Sequence, residues 1–310
     1  MAEITAKLVA ELRAKTGCGM MDCKNALKDA NGDFEEAVKL LREKGLAVAA
    51  KKEARIAAEG IVEIMYSDDK KTAAMIEVNA ETDFVAKNDV FKEFVAGLLR
   101  TILANKPADV DALMALAFDG TDTTVEDALK EKVFTIGEKI KIRRFVIVEG
   151  VMSSYIHGKG TTGVIVKFDT DDATAAKEGF AEYAKNIALQ VAAYPTQYVN
   201  KEAVPADVIE SEKQILIAQI KNDPANAKKP EAIVEKMVAG RIGKFYEANC
   251  LTEQGYVKDD ALTVAKYTEQ TAKELGGAIT INNFFRFEKG EGIQKREDNF
   301  GEEIASMLKK

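Results

Sequence analysis

The sequence predicts an α+β fold, in which an N-terminal bundle of three short helices precedes a duplicated core of antiparallel strands and helices with a protruding helical hairpin. Three observations lead to this prediction. Apolar residues recur at helical spacing through the first 45 residues, and alternating stretches further on indicate β-hairpins. A hairpin-plus-helix pattern then returns after about 89 residues.

Residues 1–45 predict the three-helix bundle. The first helix ends in a glycine-rich turn at residues 16–19, where glycine can adopt the left-handed conformation of a helix C-cap. We expect Asp22 and Asp33 to cap the second and third helices and Gly45 to end the third.

The bundle has the size of a ubiquitin-associated (UBA) module, and so small a unit is only marginally stable alone. Residues 46–59, rich in Ala, Lys and Glu, predict an exposed and partly helical linker. Taken alone, the UBA-like bundle indicates an alternative function as an adaptor that binds ubiquitin-like folds, but it leaves the rest of the chain unexplained.

The duplicated core is predicted as one unit at residues 60–145 and a second at 146–265. In the second unit, a strand from Val146 to Tyr155 is expected to pair with Gly163–Phe168. The equivalent residues at nearly constant offset are Tyr66 with Tyr155, Phe91 with Phe180, and Pro107 with Pro195. The two units could merge their strands or pack face to face, and both arrangements give an antiparallel core.

Within the second unit, residues 205–248 predict two antiparallel helices that protrude as a hairpin, although packing within one domain is an alternative. Such a hairpin could serve self-association or contact with a partner. Residues 266–310 are expected to form a C-terminal module and tail. This C-terminal region comprises a short helix at 267–275, a strand at 278–287 that could join the core sheet, and a helical tail at 301–310.

Composition excludes several classes of protein. The formal net charge of −7 disfavours binding to nucleic acid, which requires clustered Lys and Arg. The basic stretch at residues 139–144 is interpreted as a solvated strand edge. We expect no secretory signal, since the N-terminus lacks a basic region followed by an apolar core, and no membrane segment, since no apolar run reaches the length of a span. Three scattered cysteines fit a reducing compartment, so we expect a cytoplasmic protein.

The sequence also lacks the motifs of an active site, so we expect no cofactor, no metal ion and no covalent catalysis. The glycine-rich segment Gly158–Gly163 does not have phosphate-loop spacing and predicts a hairpin turn. His157, the single histidine, has no evident acid–base partner and is interpreted as a turn or contact residue. Cys18 and Cys23 are expected to be buried and structural.

One loop, Thr82-Asp83-Phe84-Val85, follows the second predicted strand and allows two interpretations. In the first, Thr82 or Asp83 caps a helix and Phe84 packs beside it as a hydrophobic staple. In the second, Phe84 and its neighbouring carboxylate form a wedge that inserts into a partner. The residues alone do not decide between them.

Five collinear segments resemble the elongation factor Ts family. They are LRAKTGCGMMDCKNAL at 12–27, EVNAETDFVAK at 77–87, IGEKIKIRR at 136–144, KMVAGR at 236–241 and FEKGEGI at 287–293. The resemblance implies a UBA-like N-terminal module, two related core subdomains, a projecting helical hairpin and a short C-terminal module.

The resemblance further implies an exchange factor that binds the GTPase EF-Tu, in its GDP-bound and nucleotide-free states, without touching the nucleotide itself. Thr82, Asp83, Phe84 and Val85 would enter the GTP-binding domain and disturb its Mg²⁺ site. Because Mg²⁺ demands near-ideal octahedral geometry, a small shift of its ligands would weaken the binding of both metal and GDP.

Further partner contacts follow from the resemblance position by position. They are Lys24 in the bundle, Ile136 and Gly137 in the first subdomain, and His157, Val257 and Lys258 in the second. Lys258 departs from the hydrophobic pair that the family often presents at this position.

Overall fold

The computed structural model describes residues 4–226 and 229–294. The helical tail predicted at residues 301–310 lies outside this range. Within it, three helices are followed by two three-stranded antiparallel sheets with helices packed against them and by a helical hairpin. The predicted α+β class is confirmed.

The N-terminal bundle consists of α1 (Ala6–Thr16), α2 (Met20–Asp29) and α3 (Phe34–Lys52). The side chains of Thr5 and Asp33 cap α1 and α3, and Gly17 ends α1 with a φ of 67°. Asp22 does not cap α2, contrary to the prediction. Gly19 occupies the cap position, and Asp22 lies in the first turn, where its charge favours the helix N-terminus.

The third helix was predicted to end at Gly45 but continues to Lys52. Residues 47–52 are Ala, Val, Ala, Ala, Lys and Lys, which are mostly strong helix formers. Gly45 also lies against Phe134 of the core, because a Cβ atom there would be 3.4 Å from the Cβ of Phe134. Packing against the core therefore carries the helix through a residue that would otherwise end it.

The first core unit contains one sheet in the order β1-β2-β3. Its elements are β1 (Glu59–Tyr66), β2 (Thr72–Ala80), α4 (Asp83–Lys87), α5 (Asp89–Asn105), α6 (Val110–Met114), α7 (Val125–Ile136) and β3 (Ile140–Glu149). The buried face of α5, including Phe91, Phe94 and Leu98, packs with the sheet residues Ile76 and Val78 in one apolar core.

The second core unit repeats this arrangement with the order β4-β5-β8. Its elements are β4 (Val151–His157), β5 (Thr162–Thr170), α8 (Asp172–Ala175), α9 (Glu178–Ala193), α10 (Ala206–Asn222), α11 (Glu231–Asn249), β6 (Gly255–Tyr256), β7 (Asp259–Thr263), α12 (Val264–Leu275) and β8 (Ile279–Glu288), with 3₁₀ turns at Lys201–Ala203 and Leu251–Glu253. Thr82 and Asp171, which cap the short helices α4 and α8, are equivalent in the two units. The predicted duplication is confirmed.

The predicted strand from Val146 to Tyr155 is instead two strands in different sheets, β3 and β4. They meet at Gly150, whose φ of 112° lies outside the range that other residues readily adopt. The chain passes there from the first sheet to the second, so the unit boundary predicted after residue 145 falls within β3.

The two sheets pack face to face and do not merge their strands. Val62, Met75 and Val148 of the first sheet form a shared apolar cluster with Ile165 of the second. Gly163 makes the close approach possible, because a Cβ atom there would lie 2.5 Å from a methyl carbon of Val62. Of the two arrangements left open by the sequence, the structure therefore adopts the second.

A buried carboxylate joins the first sheet to the chain beyond β8. Glu77 on β2 is fully buried and accepts hydrogen bonds from Arg143 at 2.9 Å, Arg144 at 2.7 Å and the backbone N–H of Gly290 at 2.8 Å. Burial alone would raise the pKa of Glu77, but the hydrogen bonds from Gly290 and Arg143 and the charge of Arg144 hold it below its ordinary value. Residues 140–144 do lie on an edge strand, as interpreted, but Arg143 and Arg144 are only partly exposed and pair with a buried carboxylate.

The helical hairpin is formed by α10 and α11, as predicted. These helices share a small core of their own, made by Leu216, Ile220, Val234, Val238 and Ile242. Beyond the hairpin, α12 contributes Val264 to the second core, and β8 pairs with β5, as predicted for the strand at 278–287. Residues 264–288 therefore pack with the second core unit.

Candidate functional site

The Thr82 loop leaves β2 and turns at once into the short helix α4. The hydroxyl of Thr82 accepts a hydrogen bond from the backbone N–H of Val85 at 3.5 Å, so Thr82 is the helix cap of the first interpretation. Val85 is only 8% exposed and belongs to the first core, whereas Phe84 is 78% exposed. Phe84 is therefore no staple, and the structure combines the cap of one interpretation with the protruding aromatic side chain of the other.

Asp83 stands beside Phe84 on the same turn. Its carboxylate accepts a hydrogen bond from Lys87 at 2.6 Å, and Lys87 Nζ also lies 5.9 Å from the centre of the Phe84 ring. The hydrogen bond from Lys87 lowers the pKa of Asp83. The turn thus presents an exposed aromatic ring and an ionised carboxylate together.

The structure brings the predicted Ile136–Gly137 turn next to Phe84. Helix α7 ends at Ile136, and Gly137 caps it with a φ of 87°. Phe84, Val85, Asn88, Val90, Thr135 and Ile136 line one surface groove of about 350 Å³. Two segments that are separated by about fifty residues in sequence therefore form one continuous surface, which we call the two-loop surface.

Sequence reasoning missed Asn88, Val90 and Thr135 of this surface and the neighbouring Glu138. Val90 is half-exposed, and the signal that it faces outward is its position directly before the buried Phe91 at the start of α5. The carboxylate of Glu138 accepts hydrogen bonds from the backbone N–H of Thr82 at 2.9 Å and from its hydroxyl at 2.6 Å. No local pattern could reveal this contact, because 56 residues separate the two partners.

The other predicted contact residues lie on separate elements. Lys24 is exposed on α2, and His157 is exposed at the end of β4, where its Nδ1 lies 3.1 Å from the hydroxyl of Tyr155. Val257 is exposed, but Lys258 donates a hydrogen bond to Asn186 at 2.7 Å. The structure therefore does not gather these residues into one pocket.

The turn between Val257 and Lys258 is held by two polar side chains of α9. Gln190 accepts from the backbone N–H of Val257 at 2.7 Å, and Asn186 accepts from Lys258. Val257 and Lys258 are both exposed and line a groove of about 650 Å³ together with Tyr194, while the ammonium group of Lys258 ties the turn to Asn186. Sequence reasoning did not identify the roles of Gln190 and Asn186.

The predicted hairpin turn at Gly158–Gly163 is confirmed, because residues 158–161 connect β4 to β5. Cys18, Cys23 and Cys250 are buried free thiols. Among residues 4–226 and 229–294, no group of three or more His, Cys, Asp or Glu side chains is arranged to hold a metal ion. No helix in the same part of the chain combines the length and hydropathy needed to cross a bilayer.

Comparison with known proteins decides the family. The model of the family described as elongation factor Ts matches residues 81–291. The chain belongs to the elongation factor Ts family. Elongation factor Ts of Syntrophotalea carbinolica is 47% identical to it over 99% of this chain and 100% of the relative. The Clostridium botulinum protein of the same name is 47% identical with the same coverage. That of Symbiobacterium thermophilum is 48% identical over 98% of each chain.

The family match includes the Thr82 loop, the Ile136–Gly137 turn, His157 and the Val257–Lys258 turn, whereas Lys24 precedes it. The relatives align with 98–99% of the chain, so the bundle also has counterparts in other members of the elongation factor Ts family. The chain is accordingly a translation elongation factor by family.

Proposed function

We propose that the chain binds the GTPase EF-Tu and accelerates the release of its GDP. The observation that carries this proposal is the exposure of Phe84. A large aromatic ring is 78% exposed on a short turn, while its neighbour Val85 is anchored in the core. An apolar side chain held outward by a rigid base is suited to enter a pocket on another protein.

In this mechanism, Phe84 and Asp83 act on the nucleotide site of the partner from its surface. Complete burial of a Phe side chain contributes about 1.5–3 kcal/mol, which is available only when the partner opens a site for the ring. The Asp83 carboxylate would meanwhile compete with or repel the groups that surround Mg²⁺. Displacement of those ligands weakens the hold on Mg²⁺, and with it the charge compensation of the GDP phosphates.

The exchange then follows from thermodynamic linkage. If the chain binds nucleotide-free EF-Tu more tightly than the GDP-bound form, GDP must by the same factor bind less tightly to the complex. Rebinding of GTP reverses the coupling and expels the chain. The chain makes or breaks no covalent bond, contacts no nucleotide and acts in the cytoplasm with EF-Tu as its partner.

Further contacts in the complex are assigned to the rest of the two-loop surface and to the separate residues named above. Ile136 lines the same groove as Phe84, and Gly137 directly follows Ile136, so this turn contacts the same part of EF-Tu. Lys24, His157 and Val257 provide contacts at a distance from it, and Lys258 acts by holding the turn that presents Val257.

The test is the release of a fluorescent GDP analogue from purified EF-Tu, measured by stopped flow with and without the chain. We expect the release rate constant to rise with the concentration of the chain and to reach a plateau. An unchanged rate at micromolar concentrations of the chain would rule out the exchange function.

A further inference from the structure

The two loops of the two-loop surface are joined by a reciprocal pair of carboxylates. Glu138, from the segment after α7, accepts from the backbone N–H and the hydroxyl of Thr82 at 2.9 and 2.6 Å. Glu81, from the Thr82 loop, accepts from the backbone N–H of Lys139 at 2.6 Å. Each loop thus places a carboxylate on the backbone of the other, and we call this arrangement the loop clamp.

The end of helix α3 and the turn that follows it, residues 52–55, are the third component of the same arrangement. Arg55 lies 3.3 Å from Glu81, and the ammonium group of Lys139 lies 3.3 Å from the carboxylate of Glu53 and also donates to the backbone carbonyl of Glu53. Lys52 is almost completely buried, and its ammonium group would lie 4.0 Å from a Cβ atom on Gly137. Cationic groups from the end of α3, from the turn after it and from the clamp itself therefore accompany the two carboxylates.

The clamp supplies rigidity that α4 alone does not have. A helix of five residues is too short to be stable by its own hydrogen bonds. Val85 fixes one side of the turn in the core, and Glu138 fixes the other side through two charge-assisted hydrogen bonds, which are stronger than neutral ones. An interface that is ordered before binding loses less conformational entropy when the partner arrives.

We propose that Glu138, supported by Glu81, is a positioning residue that holds the Thr82 loop so that Phe84 enters the partner, and that it acts through Thr82. The proposal rests on the exchange function proposed above and adds to it a residue that is absent from the predicted contacts. It also makes the Ile136–Gly137 turn a support for Phe84 in addition to a contact.

The first part of the test uses the free chain. Amide hydrogen exchange, followed by mass spectrometry or NMR, compares wild type with Glu138→Ala and with the milder Glu138→Gln. We expect the amides of residues 82–88 to exchange about tenfold faster in Glu138→Ala, while the strands of both sheets keep their protection. Glu126→Ala, which removes an exposed carboxylate that pairs with Lys130 on the same helix α7, is the matched control and should change nothing.

The second part measures GDP release from EF-Tu with Glu138→Ala, Phe84→Ala and the double variant. Glu138→Ala removes two charge-assisted hydrogen bonds, so it should lower the rate constant for GDP release, measured at a subsaturating concentration of the chain, by about tenfold. In the Phe84→Ala background the same substitution should change the rate by less than about twofold, because Glu138 acts by presenting Phe84. Should Glu138→Ala fail to fold, Glu138→Gln, which retains one acceptor oxygen, serves in both parts with a smaller expected loss.

Two results would overturn the inference: unchanged amide exchange of residues 82–88 in Glu138→Ala, or multiplicative effects of the two substitutions on GDP release. Failure of the exchange function itself has a different signature. In that case the wild-type chain does not accelerate GDP release, and amide exchange in the free chain alone decides whether the clamp holds the loop.

Discussion

Val85 and Phe84 are neighbouring apolar residues with opposite environments. Val85 lies in the first core, and Phe84 is exposed on the opposite side of the same turn. The sequence identified the loop, but the direction of each side chain depends on how Thr82 begins α4. That geometry depends in turn on Glu138, which is distant in sequence and belongs to no local pattern.

At the residue scale, we expect Val85→Ala to lower the free energy of unfolding by about 1–3 kcal/mol, because it leaves a cavity in the core. Phe84→Ala should change the same quantity by less than about 0.5 kcal/mol, as is usual for exposed positions. Urea denaturation followed by circular dichroism measures both values. A larger loss for Phe84→Ala than for Val85→Ala would show that Phe84 is a core residue.

Glu77 makes stability depend on pH. Its pKa in the folded chain lies below the ordinary value, so its contribution is fully present above about pH 4.3 and is lost as the pH falls through the folded pKa. Glu77→Gln should therefore be less stable than wild type at pH 7, and the difference should shrink as the pH approaches 3.5. Urea unfolding at several pH values measures this difference, and a constant difference across the range would contradict the assignment.

At the element scale, the helical hairpin has an apolar core that is separate from the two main cores. Its buried residues come from α10 and α11 alone, with Ile220 completely buried among them. An element with its own core can open locally while the rest of the molecule stays folded.

We therefore expect Ile220→Ala to accelerate amide exchange in α10 and α11 without changing the protection of the two sheets. Such a cavity lowers the stability of the packed state by about 2–5 kcal/mol, and here the loss affects the hairpin. Ile215→Ala, at a half-exposed position on the same helix, is the matched control and should leave the exchange pattern unchanged. Loss of protection throughout the chain would show that the hairpin unfolds together with the core.

The sequence predicts which helices and strands form better than it predicts the residues at which they begin and end. The strands β1, β2, β5 and β8, the helices α5 and α9 and the hairpin follow from periodicity, and the repeat supports them, whereas β3 and β4 were predicted as a single strand. The helix and strand ends that were predicted wrongly are set by tertiary contacts. Helix α3 passes through Gly45 because Phe134 packs there, and the strand predicted across Gly150 divides because two sheets compete for its halves.

At the scale of the whole molecule, the bundle and the two core units are connected through specific contacts. Phe134 of α7 packs with the apolar core of the bundle, and a cavity of about 280 Å³ lies between the two. Phe134 lies in the last turn of α7, which ends two residues later at Ile136 and leads into Gly137 and Glu138. The bundle thus packs against the helix that leads into the support of the Thr82 loop. The sequence could not indicate this contact, because packing between distant segments has no local sequence pattern.

The close approach of the two sheets can be tested at Gly163. A Cβ atom at this position would lie 2.5 Å from Val62 and 2.9 Å from the sulfur of Met75, so Gly163→Ala should destabilise the chain by about 1–3 kcal/mol through overpacking. Gly255→Ala, where a Cβ atom meets no atom within 4 Å, is the matched control. Thermal unfolding of both variants gives the comparison, and equal stabilities would contradict the packing of the two sheets.

The most direct test of the proposed exchange mechanism is the rate of GDP release from EF-Tu with Phe84→Ala and Phe84→Leu beside wild type. Because burial of the ring drives the opening of the partner, we expect Phe84→Ala to lose most of the acceleration and Phe84→Leu to keep part of it. Both variants should retain the wild-type unfolding transition. Undiminished acceleration by folded Phe84→Ala would show that Phe84 is not the residue that acts on the nucleotide site.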